Sequence, residues 1–370
     1  MVESSEITRI RREMETAVAE GIFPGGVLLA AVGDKVAVIA EAGRMESGPP
    51  ARSVEPNTIY DLASLTKILS TTFLAMIMVD QGLLDLNATL GDFFPDYISD
   101  MKDRIKIRDL LSHSSGFPAW RPLYESLSGL PMGERRAAVI RAILKEPLES
   151  NPGRRAVYSD LNFILLGLIL EKIAGERQDV LFGRLIHRPL GQPEVGYRAL
   201  DRSLDFPARI APTEDLGDGN VLRRGLIWGV VHDDNAAVLG GVAGHAGLFG
   251  TVKAVWRVFN SIRRAVRDEP CGALVSKQTA TLFVQKTHTA PESTWALGFD
   301  TPSPTGSSAG RHFSFNSVGH LGFTGTSLWH DPDRDLTVVL LTNRVHPSAD
   351  NTAIRAFRPK IHDLVVETLF

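Results

Sequence analysis

Ser64 and Lys67 stand three residues apart in the stretch Tyr60-Asp61-Leu62-Ala63-Ser64-Leu65-Thr66-Lys67. Apolar side chains at Ile68, Leu69, Phe73, Met76 and Ile77 then recur at helical spacing until Gly82, which predicts a helix with Ser64 in its first turn. Residues i and i+3 share a helix face, so the lysine amine can reach the serine hydroxyl. A serine becomes a nucleophile only when a base takes its proton, and desolvation lowers the pKa of a lysine toward that task. The unpaired N–H groups and positive dipole end of a helix start favour the negative charge that develops there. Alone, the pattern fits a capping serine with a solvated lysine far better, so the assignment depends on partners elsewhere in the chain.

Two further stretches offer such partners. Asn151-Pro152-Gly153 is a turn that leads through Val157-Tyr158-Ser159-Asp160 into an apolar helix, which places Tyr158 where it could face a cleft and relay a proton. Gly319-His320-Leu321-Gly322-Phe323-Thr324-Gly325 is a glycine-rich strand edge along which a substrate backbone can lie. Other constellations are weaker. Gly306-Ser307-Ser308-Ala309-Gly310 fits Gly-x-Ser-x-Gly but lacks the strand before and the helix after, and reads as a loop. His232, Asp233, Asp234 and His245 have no metal-ligand spacing and read as polar residues that satisfy a long loop. His113 reads as the holder of a turn, and Trp120 and Trp228 as buried aromatics that could line a cleft.

The elements that must position these residues follow from periodicity and punctuation. A helix is expected over 5–20, strands over 27–32 and 35–41 joined at Gly33-Asp34, and helices over 107–111, 161–174 and a segment ending at Pro189. Residues 199–250 are rich in Pro, Asp, Asn and Gly and read as a site-forming loop. A helix from Val252, strands over 295–299, 318–323, 326–330 and 336–342, and a closing helix within 353–369 complete the chain. The fold class is therefore α+β, an α/β sandwich. Its antiparallel sheet comes from both ends of the chain, about 5–60 and 240–369, around a helical insert with site loops at about 61–239, all in one domain over 5–369.

Composition bounds the function. A chain of 370 residues that is 44% hydrophobic can bury a large core, and a formal charge of -3 without a basic stripe argues against nucleic acid. One cysteine excludes an internal disulfide, and no apolar run approaches the ~20 residues of a membrane span. The first residues hold no secretory signal. The expectation is a cytoplasmic protein, or a periplasmic or secreted one whose signal has been trimmed. Nothing in the sequence specifies an oligomeric state.

Taken together and in this order, the motifs resemble the β-lactamase and penicillin-binding protein superfamily, on the branch of class C β-lactamases, D-alanyl-D-alanine carboxypeptidases and related esterases. Ser64-Leu65-Thr66-Lys67 matches its Ser-x-x-Lys, Tyr158-Ser159-Asp160 stands where Tyr-x-Asn is usual, and His320-Leu321-Gly322 stands where Lys-Thr-Gly or His-x-Gly is usual. Leu110 to Gly116 and Gly240 to Leu248 are similar to family sequence as well. The resemblance implies that Ser64 is acylated, that Lys67 and Tyr158 transfer protons, and that the N–H groups of Ser64 and Phe323 form the oxyanion hole. It implies a small-molecule or peptide substrate, contacted by Asp160, His320, Gly322 and Arg344, with no cofactor and no metal.

Departures from the pattern shape the substrate. An ionised Asp160 favours protonated Lys67, moves the base role toward Tyr158 and repels an anionic substrate. His320 carries at most a partial positive charge at neutral pH, and Leu321 lacks a hydroxyl for a carboxylate, while Arg344 could restore an anchor. The expectation is an acyl-enzyme hydrolase of esters or amides, esterase- or peptidase-like rather than an efficient β-lactamase. The alternative is a catalytically weak penicillin-binding or sensing protein of the same fold. Replacing Ser64 by alanine should abolish both covalent labelling by a fluorophosphonate and turnover, at a cost in stability of only about 0.5–2 kcal/mol; mass spectrometry that finds the label on another serine would refute the assignment.

Overall fold

The computed structural model describes residues 5–48, 51–97, 101–191, 194–200, 209–269, 271–286 and 290–370. Its main sheet has five strands in the order β2-β1-β8-β7-β6. These are β1 (Gly25–Val32), β2 (Lys35–Gly43), β6 (Val318–Leu321), β7 (Ser327–Asp331) and β8 (Leu336–Thr342). Every pairing is antiparallel, and β1 joins the two ends of the chain through a register that runs from Gly26 opposite Thr342 to Val32 opposite Leu336. The sheet is thus built from both termini, as expected.

Strands β1 and β8 read as unbroken apolar runs because both faces of the sheet are covered. Val27, Leu29, Val339 and Leu341 point into the larger core, where the helix Val252–Val266 packs on the sheet. Leu28, Ala30, Val338 and Leu340 alternate to the other face, which is closed by α1 (Ser5–Ala19) and the C-terminal helix Ile354–Leu369. Ile10, Met14 and Ala17 of α1 share that second core with Phe357, Ile361 and Val365. No helix among the described residues is long and apolar enough to cross a membrane.

A second sheet escapes the sequence. It has three strands in the order β3-β5-β4, with β3 (Tyr60–Asp61), β4 (Val195–Tyr197) and β5 (Leu248–Gly250). Strands of two or three residues carry no period to detect. Its role is positional, because β3 leads directly to Ser64, and Leu62 N–H donates to the Leu248 carbonyl (2.9 Å).

Three local expectations change. Ser64 lies in a tight turn just before the helix rather than in its first turn, and Lys67–Thr72 winds as a π-helix before continuing as the α-helix Phe73–Asp80. Residues 295–299 do not form a strand. Gly298 at φ 90° turns the chain, and a bridge between Trp295 and Asp300 closes it. The helical run expected to end at Pro189 reaches Leu190, with Pro189 in its last short turn and Gly191 as the left-handed cap. Within the long loop, residues 201–208 lie outside the described residues, and Asp234–Val238 forms a short helix.

The helix Asp160–Ala174 has Ser159 as its N-cap and Gly175 in the left-handed conformation at its C-cap. It packs on the stretch around His245 through glycine on both sides. A Cβ at Gly244 would lie 2.0 Å from the Phe163 carbonyl oxygen, and one at Gly167 2.8 Å from Gly244. Gly244→Ala should therefore push that stretch away and cost about 1–3 kcal/mol of stability. Urea denaturation at unchanged m-value measures this, and an unchanged midpoint would refute the requirement for glycine at this contact.

Candidate active site

The turn that carries Ser64 is held by a buried carboxylate. Asp61 Oδ1 accepts the Ala63 N–H (2.8 Å) and Oδ2 accepts the His232 N–H (2.7 Å), so one side chain fixes the turn and ties the long loop to it. Ala63 takes φ 46°, a left-handed conformation for a residue with a Cβ, and Asp61 supports it. Burial pushes the Asp61 carboxyl above its ordinary range, against the pull of both N–H donors.

Around Ser64 Oγ two donors converge. Lys67 Nζ donates to it at 2.9 Å and Tyr158 Oη at 2.7 Å. Lys67 is fully buried, and its ammonium also donates to Asp160 Oδ1 (2.6 Å) and to the His245 carbonyl (3.3 Å). Burial is the largest single influence and by itself would lower the lysine pKa, but Asp160 and then Tyr158 together outweigh it and hold Lys67 above its ordinary value. For Tyr158 burial is also the leading effect and pushes the phenol up, with the Lys67 charge acting against it. Asp160 thus faces Lys67, whereas Asn162 turns into the core, where its Oδ1 accepts Ser115 Oγ (2.6 Å).

His113 is the clamp on Tyr158. Its carbonyl accepts the Val157 N–H (2.8 Å) and its Nδ1 accepts the Ser159 N–H (3.0 Å), so both flanks of Tyr158 hang on one residue, itself at φ 56°. Burial first, and then the Lys67 charge, keep His113 neutral well below its ordinary value. Trp295 stacks on Tyr158 with ring centroids 5.6 Å apart.

The turn after β6 meets the Ser64 turn through threonines. Thr324 Oγ1 donates to the Asp61 carbonyl (2.7 Å) and Thr326 Oγ1 to the Leu62 carbonyl (3.0 Å). Gly322 sits where a Cβ would lie 2.0 Å from Thr326 Oγ1 and 2.8 Å from the Leu62 carbonyl, so the close approach requires glycine. The backbone N–H groups of Ser64 and Phe323 are thereby held on neighbouring turns.

A cavity of about 750 Å³ opens over these groups. Ser64, Tyr158, Asp160, His320, Gly322, Phe323 and Arg344 all line it. Its walls are largely aromatic and aliphatic, with Trp120, Tyr124, Trp295 and Ile354. Trp120 is 45% exposed at the cavity rather than buried, whereas Trp228 is half-buried away from it, its Nε1 on the Ile210 carbonyl (2.9 Å) and Arg52 over its ring.

Two expected substrate contacts take a different form. His320 is buried, and burial followed by the Lys67 charge lowers its pKa to about 3, so it is neutral rather than partly charged. Its Nδ1 is 2.7 Å from the Leu321 carbonyl and therefore carries the proton there, which leaves Nε2 a lone-pair acceptor. Arg344 spends its guanidinium on carbonyls, Nε to Phe323 (2.8 Å) and Nη1 to Ala349 (2.8 Å) and Asn351 (2.6 Å). Its charge also lies over the Phe323 ring, 4.5 Å from the centroid, so it holds that residue in place.

The polar loop residues pair with each other. His245 Nε2 donates to Asp233 Oδ1 (2.8 Å), which also caps the short helix after it through the Ala236 N–H, and His232 Nε2 is 2.9 Å from Glu214. Asp61, Thr324, Thr326, Trp295 and Asp300, the last pushed up to about 6 by burial, were not singled out by the sequence. Only Asp61 carried a signal, as an Asx residue two before the positive-φ Ala63.

The Beta-lactamase family profile matches residues 10–360. Over 93% of its length the chain is 31% identical to the N-acetylmuramyl-L-alanine amidase of Bacillus subtilis (strain 168), covering 82% of that protein. It is 33% identical to a putative D-alanyl-D-alanine carboxypeptidase of Escherichia coli (strain K12), over 79% of this chain and 71% of the other. Among solved structures, EstCE1, a hydrolase with promiscuous acyltransferase activity, superposes with a TM-score of 0.73 at 23% identity, covering 96% of this chain and 98% of its own.

Both candidate bases on Ser64 are raised, so at neutral pH both hold their protons. Acylation that needs either one deprotonated should accelerate by about tenfold per pH unit from neutrality upward, until that group titrates. Asp160→Asn removes the charge that raises Lys67 and should shift this limb to lower pH. A kcat/KM profile that is flat through the alkaline range in both proteins would exclude Lys67 and Tyr158 as the base.

Proposed function

The chain belongs to the β-lactamase family and is a serine hydrolase that works through an acyl-enzyme, and on that premise we propose Ser64 as its nucleophile, Lys67 and Tyr158 as its proton-transfer pair, and a neutral ester or amide with an apolar acyl group as its substrate. In this reading Ser64 Oγ attacks the carbonyl carbon and gives its proton to the deprotonated member of the pair. The negative charge on the carbonyl oxygen falls between the N–H groups of Ser64 and Phe323, donors of a kind worth about 3–4 kcal/mol each. Collapse of the tetrahedral species expels an alcohol or amine that takes up the proton, and water repeats the sequence on the acyl-enzyme to release the acid.

The single observation that carries the substrate choice is the 2.6 Å contact between Asp160 and Lys67. It neutralises the cation nearest the nucleophile and leaves a carboxylate at the cavity wall, while His320 adds no positive charge. An anionic group next to the scissile bond therefore finds no counter-charge on this side. The aromatic walls offer burial to an apolar acyl group at roughly 25 cal/mol per Å². The names of the Bacillus and Escherichia relatives both denote amide cleavage, which supports amides beside esters.

A second reading rests on Arg355, which is exposed, lines the cavity and forms no ion pair with a carboxylate among the described residues. It supports a carboxypeptidase whose peptide carboxylate reaches that residue, in line with the name of the Escherichia relative. The two readings differ in where the substrate charge sits.

Asp160→Asn separates them. For charges about 6 Å apart at an effective dielectric of about 20, removing the carboxylate changes the binding of an anion by up to about 3 kcal/mol. Acylation by a penicillin should therefore rise tenfold or more relative to hydrolysis of a neutral p-nitrophenyl ester. The neutral-substrate reading fails if that ratio stays constant and a D-alanyl-D-alanine peptide outcompetes the ester in the unmodified protein.

A further inference from the structure

We infer that Arg358 is a positioning residue of the oxyanion hole, whose buried guanidinium fixes and polarises the Gly322–Phe323 peptide. The inference rests on the reading above, in which the Phe323 N–H is one of the two donors. A peptide unit is planar, so the Gly322 carbonyl and the Phe323 N–H point in opposite directions from one rigid plate. Whatever holds the carbonyl therefore aims the N–H. Arg358 Nη2 donates to that carbonyl at 2.7 Å and to the Thr326 carbonyl at 2.8 Å. The second carbonyl also accepts the Gly322 N–H (2.7 Å), so one guanidinium nitrogen bridges the two ends of the turn.

The charge on this group is not explained by the fold alone. Arg358 is 6% exposed and forms no ion pair with a carboxylate among the described residues. Its Nε is buried without a partner. Burial first, and then the like charges of Arg344 and Arg355, lower its pKa to about 9. A neutral donor could satisfy two carbonyls without that cost, because an uncompensated buried charge is among the more destabilising features a core can hold. What a cation adds is polarisation. A charged donor on the carbonyl strengthens the N–H at the other end of the same peptide, and places positive potential behind the point where the substrate oxygen becomes negative. Arg344 repeats the arrangement one peptide further on, with Nε on the Phe323 carbonyl at 2.8 Å. Both peptide planes that flank Phe323 are thus held by guanidinium groups.

The test compares the unmodified protein with Arg358→Gln and Arg358→Lys, using a p-nitrophenyl ester, an aryl boronic acid that forms a tetrahedral adduct on the nucleophile, and thermal melting to confirm folding. Arg358→Gln should lose about tenfold or more in kcat with KM changed by less than about twofold, and its boronate affinity should fall in parallel. Lysine keeps the charge but not the planar fork, and should recover part of both. A folded Arg358→Gln protein with unchanged kcat and boronate affinity, even at lower melting temperature, overturns the inference and leaves Arg358 a structural clamp. If the glutamine variant does not fold, Arg358→Lys decides alone: a loss of about threefold or more in boronate affinity supports the role and an unchanged affinity overturns it. A boronate that fails to attach to Ser64 in the unmodified protein overturns instead the reading beneath, and this inference with it.

Discussion

A single buried ammonium organises this site. Taking the Lys67 charge out of water costs several kcal/mol, and the structure meets that cost with three acceptors from three separate parts of the chain. Ser64 comes from the turn after β3, Asp160 from the start of a helix 93 residues beyond Lys67, and the His245 carbonyl from a loop 178 residues beyond it. None of these segments can move without leaving a charge unpaired. The same three contacts that stabilise the lysine therefore also assemble the reactive group, and the identity of one of them, a carboxylate, decides which protonation state the lysine prefers.

Around that centre the geometry is set by backbone contacts more than by side-chain packing. Asp61 holds one turn, Thr324 and Thr326 fasten the second turn to it, and His113 grips the chain on both sides of Tyr158. These are short bonds between neighbouring rigid segments, and they leave few soft degrees of freedom between the hydroxyl and the N–H groups that face it. Preorganisation of this kind removes reorganisation from the reaction step, which is where fixed dipoles contribute most.

Much of this was legible in the sequence, and the remainder was hidden for identifiable reasons. Strands β1 and β8 announce themselves as apolar runs and the long helices by period and by the glycines that end them, and Ser64, Lys67, Tyr158 and Asp160 are brought together by the structure as their motifs suggested. The sheet β3-β5-β4 is too short to leave a pattern. Residues 295–299 look like a strand because Ala296, Leu297 and Phe299 are all buried, but burial comes from a turn pressed into the core. Arg344 reads as a free cation in one dimension, and only the folded chain shows the carbonyls that occupy it. The same holds for His320, whose charge depends on depth rather than on residue type.

Strand β1 lies between β2 and β8, so the second residue of its ladder, Gly26, waits for Thr342. During synthesis on the ribosome the hairpin of β1 and β2 emerges long before β8 and remains without that neighbour until residue 342 has been made. Both of its faces are apolar, and one of its edges is an open row of backbone donors and acceptors. The nucleophile is in the same position, because the turn bearing Phe323 is also translated late. Nascent chains should thus stay chemically silent until the turn bearing Phe323 and strand β8 have been made, and the hairpin should need shielding from intermolecular pairing in the meantime.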